Sequence, residues 1–219
     1  CLAHGNELIS NKKGKIKRIK NTLDKVSCII ANSIFTKNLI KKISDNKTEV
    51  IHPGASDLRY ISKEEIPNVG EKKILLTLAR LEKRKGHTFI IKCIKKLLND
   101  FPDLIYVIAG EGPELQSLKR LVKTEKLENN IIFVGKVNES QKKFLFEKTK
   151  LMIMPTIDES KKNSIEGFGI AYLEAAFFAI PSIASNVGGT PEAVINDNTG
   201  KIIIDIKDLY DSIRGFLEN

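Results

Sequence analysis

The segment Leu151-Met152-Ile153-Met154, followed after an eleven-residue loop by Glu166-Gly167-Phe168-Gly169-Ile170-Ala171-Tyr172-Leu173-Glu174-Ala175-Ala176, is the most informative in the chain. Four aliphatic residues in a row read as a strand covered on both faces. The run from Gly169 reads as a helix, joined to that strand by a loop carrying two glycines. The same alternation extends in both directions: short aliphatic or β-branched runs at 73–79, 104–109, 131–134, 151–154, 182–184 and 201–204 read as strands. Longer runs at 86–99, 113–126, 140–148, 169–178 and 207–217 read as helices, with a short turn near 191–194. The pattern implies one complete doubly wound, Rossmann-like α/β domain with a parallel sheet. Pro113 is placed for a helix start, and Asn138 with Gln141 forms a capping-box-like pair.

Residues 1–53 read as a loop, a basic helix, a strand at 27–31, a helix at 34–43 and a strand at 49–52, the tail of a second, N-terminal Rossmann-like domain. Pro53 to Gly70, with two prolines, two glycines and mixed charge, reads as a connection, giving domains at 1–53 and 71–219 and a linker at 54–70. The chain opens on Cys1 and shows no basic-then-apolar leader, so a fragment or processed form is expected.

Composition narrows the class. At 42% hydrophobic and 29% charged residues, the 219-residue chain can build a core, which excludes collagen-like and disordered classes. A bilayer span needs roughly 18 to 20 apolar residues, and the greasiest stretch, from Gly169 to Ala184, is broken by Glu174 and Pro181. Cys1, Cys28 and Cys93 show no metal-ligand spacing, and Cys28 and Cys93 lie in apolar stretches, so buried thiols of a reducing, cytoplasmic compartment are expected.

The net charge is +9, and residues 1–50, with 11 Lys/Arg against 4 Asp/Glu, carry +7 of it. Lys12, Lys13, Lys15, Lys17, Arg18 and Lys20 interleave with Ile16 and Ile19 at helical spacing. This face either meets anionic lipid at the inner side of a membrane, or an anionic acceptor, or is simply solvated. Nucleic acid is disfavoured because the run carries no aromatic residue for stacking.

Ligands of a doubly wound sheet collect beyond the carboxyl ends of its strands, where a helix start offers free N–H groups and a positive dipole end. Gly167 and Gly169 would let the backbone approach an anion there, since neither bears a Cβ. A carboxylate can grasp a vicinal diol, so Glu166 and Glu174 either serve hydroxyls on the two sides of that anion or act as a loop residue and a structural acid. Arg80 and Lys85 follow the first strand of the same domain, and either grip phosphate or form an ordinary solvated charge run. No dinucleotide fingerprint, P-loop, Asp-x-Asp, His-Glu-x-x-His or Cys-x-x-Cys occurs, so hydride transfer, ATP hydrolysis and a catalytic metal lack support. His52 and His87 read as structural.

Taken in order, Ala3-His4-Gly5-Asn6-Glu7, Ile30-Ala31-Asn32-Ser33, Val50-Ile51-His52-Pro53-Gly54, Arg80 to Gly86, Gly110-Glu111-Gly112-Pro113, Phe133-Val134-Gly135-Lys136-Val137, Glu166 to Ala175, Pro181 to Ala184 and Gly188-Gly189-Thr190-Pro191-Glu192 carry a resemblance. Over practically its whole length the chain resembles the retaining family-4 glycosyltransferases of the GT-B fold, most closely the bacterial mannosyl- and glucosyltransferase branch. The resemblance implies a GDP- or UDP-sugar donor and a lipid-linked or saccharide acceptor meeting between two domains, with no metal or other cofactor, in cell-envelope or exopolysaccharide assembly. It assigns the diphosphate to Arg80 and Lys85, phosphate or sugar to the amides of Gly167, Phe168 and Gly169, sugar hydroxyls to Glu166, the ribose to Glu174 and the base to Val137. His4 would approach the reacting face, so Glu166 and His4 are the expected catalytic residues. The chain departs from the family in carrying Ala179 where glycine is common. Rival readings are a sugar-nucleotide epimerase of similar shape and a non-catalytic nucleotide-binding or membrane-docking module.

Overall fold

The structure, a computed structural model, describes residues 1–10, 12–70 and 73–218. Asn11, the first residue of the basic run, and the domain start expected at residue 71 lie outside the described residues.

Two parallel sheets form. The small one joins β1 (Leu2–Ala3), β2 (Ile29–Ala31) and β3 (Thr48–Val50) in sequence order, with α1 (Lys13–Leu23) and α2 (Ile34–Lys41) as its crossovers. The large one contains β4 (Ile74–Leu78), β5 (Ile105–Ala109), β6 (Ile131–Gly135), β7 (Thr149–Met154), β8 (Ser182–Ser185) and β9 (Gly200–Ile203). Its helices are α3 (His87–Leu97), α4 (Leu115–Thr124), α5 (Glu139–Lys148), α6 (Ile170–Phe177) and α7 (Leu209–Glu218). Strand order is β6-β5-β4-β7-β8-β9, all parallel, so the chain reverses its direction of growth between β4 and β7. That reversal makes the loops leaving β4 and β7 diverge and opens a crevice at the carboxyl end of the sheet.

The two faces of β4 show why both layers are needed. Ile74 and Leu76 point into one core with Val107, Met152, Phe144 and Tyr172, under α5 and α6. Leu75 points the other way, among Tyr106, Leu151, Ile153, Ile90 and Ile94, under α3. A strand buried on both sides reads as an unbroken aliphatic run, which is how these strands appear in the sequence. The expected fold class is therefore the one found.

Local punctuation is partly as expected. Asn138 caps α5 by accepting the Gln141 N–H while the Gln141 side chain accepts the Asn138 N–H. Pro113 does not open a helix, because α4 begins two residues later and Pro113 belongs to the turn before it. The opening residues, expected as loop, include β1, whose two residues are too short for any periodicity to reveal. The three cysteines are free thiols, as expected, but not buried ones: Cys1 is exposed, and Cys28 and Cys93 are only half-buried.

The segment between the sheets is tied down. Leu58 and Val69 are buried in the large core, Lys143 Nζ donates to the Arg59 and Ile61 carbonyls at 2.8 Å, and the capping pair Asn138 and Gln141 donate to Glu64. Among the described residues no helix is long and apolar enough to cross a membrane.

Candidate functional site

Two loops converge on the crevice. After β4 the chain makes a short turn, Lys83–Lys85, closed by Gly86 in the left-handed region at φ 74°. A Cβ on Gly86 would lie 2.3 Å from the Pro155 carbonyl oxygen, so only glycine lets this turn press against the segment leaving β7. The packing sinks Lys85, whose side chain is 9% exposed, and sets its ammonium against the Glu166 carboxylate and 3.5 Å from Met154 Sδ. Burial holds the Lys85 pKa below its usual value, although the Glu166 charge opposes the shift. Arg84 is buried beside it, ion-paired with Glu82, and its Nε has no partner. Arg80 lies differently, with a side chain 75% exposed and facing Glu82 at 3.1 Å.

The loop before α6 crosses the same crevice. Among the described residues, no intramolecular acceptor takes the backbone N–H of Gly167, Phe168 or Gly169, so these donors are left for a ligand or solvent. The glycines also have a packing reason that the sequence did not show. A Cβ on Gly167 would sit 1.9 Å from the His4 carbonyl oxygen, and one on Gly169, at φ 105°, 2.7 Å from the Tyr172 ring. The missing side chains make room for the small sheet and for Tyr172, whose hydroxyl donates to the Met154 carbonyl at 2.7 Å.

Two cavities result. One, of about 490 Å³, lies over the ends of β4, β5 and β6, and Arg80, Glu111, Lys136, Val137, Lys142 and Glu174 line it. Glu174 is mostly buried on α6 and pairs with Lys142 of α5 at 2.8 Å. The other, of about 320 Å³, lies between the two sheets: His4, Asn6 and Asn32 come from the small-sheet side, Arg84 and the loop 165–170 from the large. Asn6 Oδ1 accepts the Ile165 N–H at 2.7 Å across this boundary. His4 is exposed, its N–H donating to Glu7.

The structure thus brings Arg80, Val137 and Glu174 together at the larger cavity, and His4, Glu166, Gly167, Phe168 and Gly169 at the smaller, with Lys85 against Glu166. Asn6, Asn32, Arg84 and Lys142 were not singled out from the sequence. The first three lie inside motifs that carry the family resemblance, whereas Lys142 is one lysine of a solvated-looking helix and gives no signal. Among the described residues no group of three or more His, Cys, Asp or Glu side chains comes together to hold a metal ion.

Residues 59–219 match the family described as "Glycosyl transferases group 1". The chain is 25% identical over 213 residues to a GDP-mannose-dependent alpha-(1-6)-phosphatidylinositol monomannoside mannosyltransferase of Mycolicibacterium smegmatis, covering 91% of this chain and 55% of that protein. It spans about half the length of such relatives. Among solved structures, Anabaena Alr3699/HepE in complex with UDP and glucose superposes with a TM-score of 0.81 at 19% identity, covering all of this chain and 62% of the other. Sucrose-phosphate synthase from Thermosynechococcus elongatus gives 0.80 at 20% identity, covering all of this chain and 58% of the other.

Proposed function

Because the chain belongs to the group 1 glycosyl transferases, we propose that it carries the donor half of a retaining, metal-independent hexosyltransferase that uses a GDP- or UDP-sugar. The observation that carries the reading is the convergence of buried Lys85, Glu166 and three undonated amides where β4 and β7 part. The nucleoside occupies the larger cavity, with Val137 beside the base and Glu174 on the ribose hydroxyls, which Lys142 releases. The diphosphate lies between Arg80, Lys85 and the start of α6, and the hexose lies in the smaller cavity against Glu166 and His4.

Donor entry changes the partner of Lys85. Its charge is paired with Glu166, and an arriving phosphate offers a second anion, so Lys85 turns toward phosphate and Glu166 toward sugar hydroxyls. As the glycosidic bond lengthens, negative charge grows on the departing diphosphate. A cation in a dry site and the positive end of α6 stabilise that charge strongly, because little water is present to screen it. The diphosphate takes the acceptor proton on the same face, and the anomeric configuration is retained. The relative's phosphatidylinositol monomannoside acceptor and the exposed lysines of α1 support a lipid-linked or saccharide acceptor at the inner face of a membrane, in envelope or polysaccharide assembly.

The test is a donor screen on the full-length protein, with GDP-mannose and UDP-glucose among the donors, product detection by mass spectrometry and anomeric assignment by NMR. Transfer with a retained anomer to an added acceptor is expected. No transfer from any donor, an inverted anomer, or conversion of the donor without an acceptor would overturn the reading.

A further inference from the structure

One contact between the two sheets lies outside both cavities. Glu192 stands in the turn Thr190–Glu192 after β8. Two features fix that turn: the buried Thr190 hydroxyl donates to the Ser185 and Val187 carbonyls, and Gly188 and Gly189 lie flat on the backbone of Glu166 and Gly167. A Cβ on Gly188 would come within 2.1 Å of the Glu166 carbonyl oxygen, and one on Gly189 within 2.0 Å of the Gly167 carbonyl oxygen. The turn is therefore registered against the loop proposed to grip the donor.

From there Glu192 reaches across to the small-sheet side. Its carboxylate accepts the N–H of Ile34 at 2.6 Å and of Phe35 at 2.9 Å, the first two residues of α2. Ser33 takes the third N–H of the same turn, from Thr36, at 2.9 Å. The helix start is thus satisfied partly by its own cap and partly by an acid 157 positions away in the chain. Charged acceptors on backbone amides make the stronger class of hydrogen bond, and a carboxylate suits the positive end of a helix. The same carboxylate faces His52 Nε2 at 3.0 Å, and the His52 ring stacks on Phe168 with centroids 5.2 Å apart. Phe168, 3% exposed, stands between the two glycines whose amides are undonated. The contacts close a loop: large sheet to α2 through Glu192, then from Glu192 through His52 back to the donor loop at Phe168.

We infer that Glu192 is a positioning residue, a clamp that holds α2 and, through His52, Phe168, and so fixes the one placement of the two sheets in which the smaller cavity is complete. What that cavity binds rests on the function proposed above, but the clamp itself does not. A residue that only stabilised the fold would weaken everything it supports together. A clamp acts selectively: nucleotide binding, built almost wholly on the large sheet, persists, whereas transfer, which needs His4, Asn6 and Asn32 beside Glu166, fails.

The experiment compares full-length wild type with Glu192→Gln and, should that variant not fold, His52→Leu. Three readouts are taken: GDP and UDP affinity by calorimetry, donor turnover with GDP-mannose and UDP-glucose, and amide hydrogen exchange. The expected result for Glu192→Gln is a nucleotide Kd within about twofold of wild type with turnover down about tenfold, a kcat effect without a matching binding effect. Exchange is expected to rise together at residues 34–35 and at Ile165, whose N–H donates to Asn6 across the boundary. For His52→Leu the rise is expected at Ile165 while 34–35 stay protected. Loss of affinity in proportion to turnover, or faster exchange at 34–35 with Ile165 unchanged in Glu192→Gln, would overturn the clamp. If wild type binds neither nucleotide, the donor reading fails, and the exchange coupling still decides the clamp.

Discussion

Two acid–lysine pairs line the crevice and differ in how they are built. Glu174 and Lys142 stand on consecutive helices of one sheet, and the lysine keeps a side chain 25% exposed. Glu166 and Lys85 come from two loops 81 positions apart, and the lysine is 9% exposed. A pair that stays partly wet can open and reclose with little change in solvation, which suits the binding of a neutral ribose. Removing the paired counter-charge of a dry lysine is costly unless another anion arrives. On the proposed function the drier pair opens as phosphate arrives, and it is the one placed where the two sheets meet.

The largest effect is expected at the drier pair. Lys85→Met leaves the half-buried Glu166 carboxylate without its lysine, so thermal or denaturant unfolding should show a loss of about 3 kcal/mol. Turnover of a responsive donor should fall about a thousandfold through the lost charge on the diphosphate. Next is His87, which is 2% exposed with Nε2 unpartnered. Burial, aided by the Lys85 charge, lowers its pKa from 6.5 to about 4. The unfolded chain takes up that proton near pH 6.5 and the folded chain does not until about pH 4. Stability from this group is thus full above 6.5 and is lost as pH falls through that window, by about 3 kcal/mol in all. Denaturant titrations at pH 7 and pH 4.5 should show the loss in wild type and a smaller one in His87→Leu. At the wetter pair, Glu174→Gln should weaken nucleotide binding about tenfold, near 1.4 kcal/mol, with turnover at saturating donor nearly unchanged. A Glu174→Gln loss as deep as that of Lys85→Met would erase the distinction between the pairs.

The smallest effect belongs to a site in neither cavity. Helix α6 ends in a left-handed turn: Ala179 at φ 53° donates to the Ala176 carbonyl, and Ile180 donates to the Ala175 carbonyl. Glycine is the usual residue at that position because a Cβ crowds the following carbonyl. Ala179→Gly should stabilise the protein by about 1 kcal/mol in denaturant unfolding without altering turnover.

Legibility from sequence followed the range of the interactions. The six strands of the large sheet could be read because burial on both faces leaves continuous aliphatic runs, and the α5 cap because Asn138 and Gln141 are three residues apart. β1 could not, since two residues hold no pattern. At the site, residue types and spacing marked Glu166, Lys85 and Glu174, but not that Lys85 would be the dry partner of Glu166 while Arg80 stayed in solvent. Spacing carries no information on which groups lie opposite across a fold. The glycines show the same limit: Gly167 and Gly188 announce that something approaches the backbone closely, and only the fold reveals that it is His4 in one case and Glu166 in the other. Glu192 lay in a quoted motif, yet its partners at 34, 35 and 52 become visible only once the sheets are side by side.

Calorimetry on the full-length protein, comparing GDP and UDP with guanosine and uridine, tests most directly whether the crevice is built around a diphosphate. The account predicts that one diphosphate binds at least about tenfold more tightly than its nucleoside, a margin of ~1.4 kcal/mol, and that the margin vanishes in Lys85→Met. Equal affinity for nucleotide and nucleoside, or a margin that survives in Lys85→Met, would contradict it.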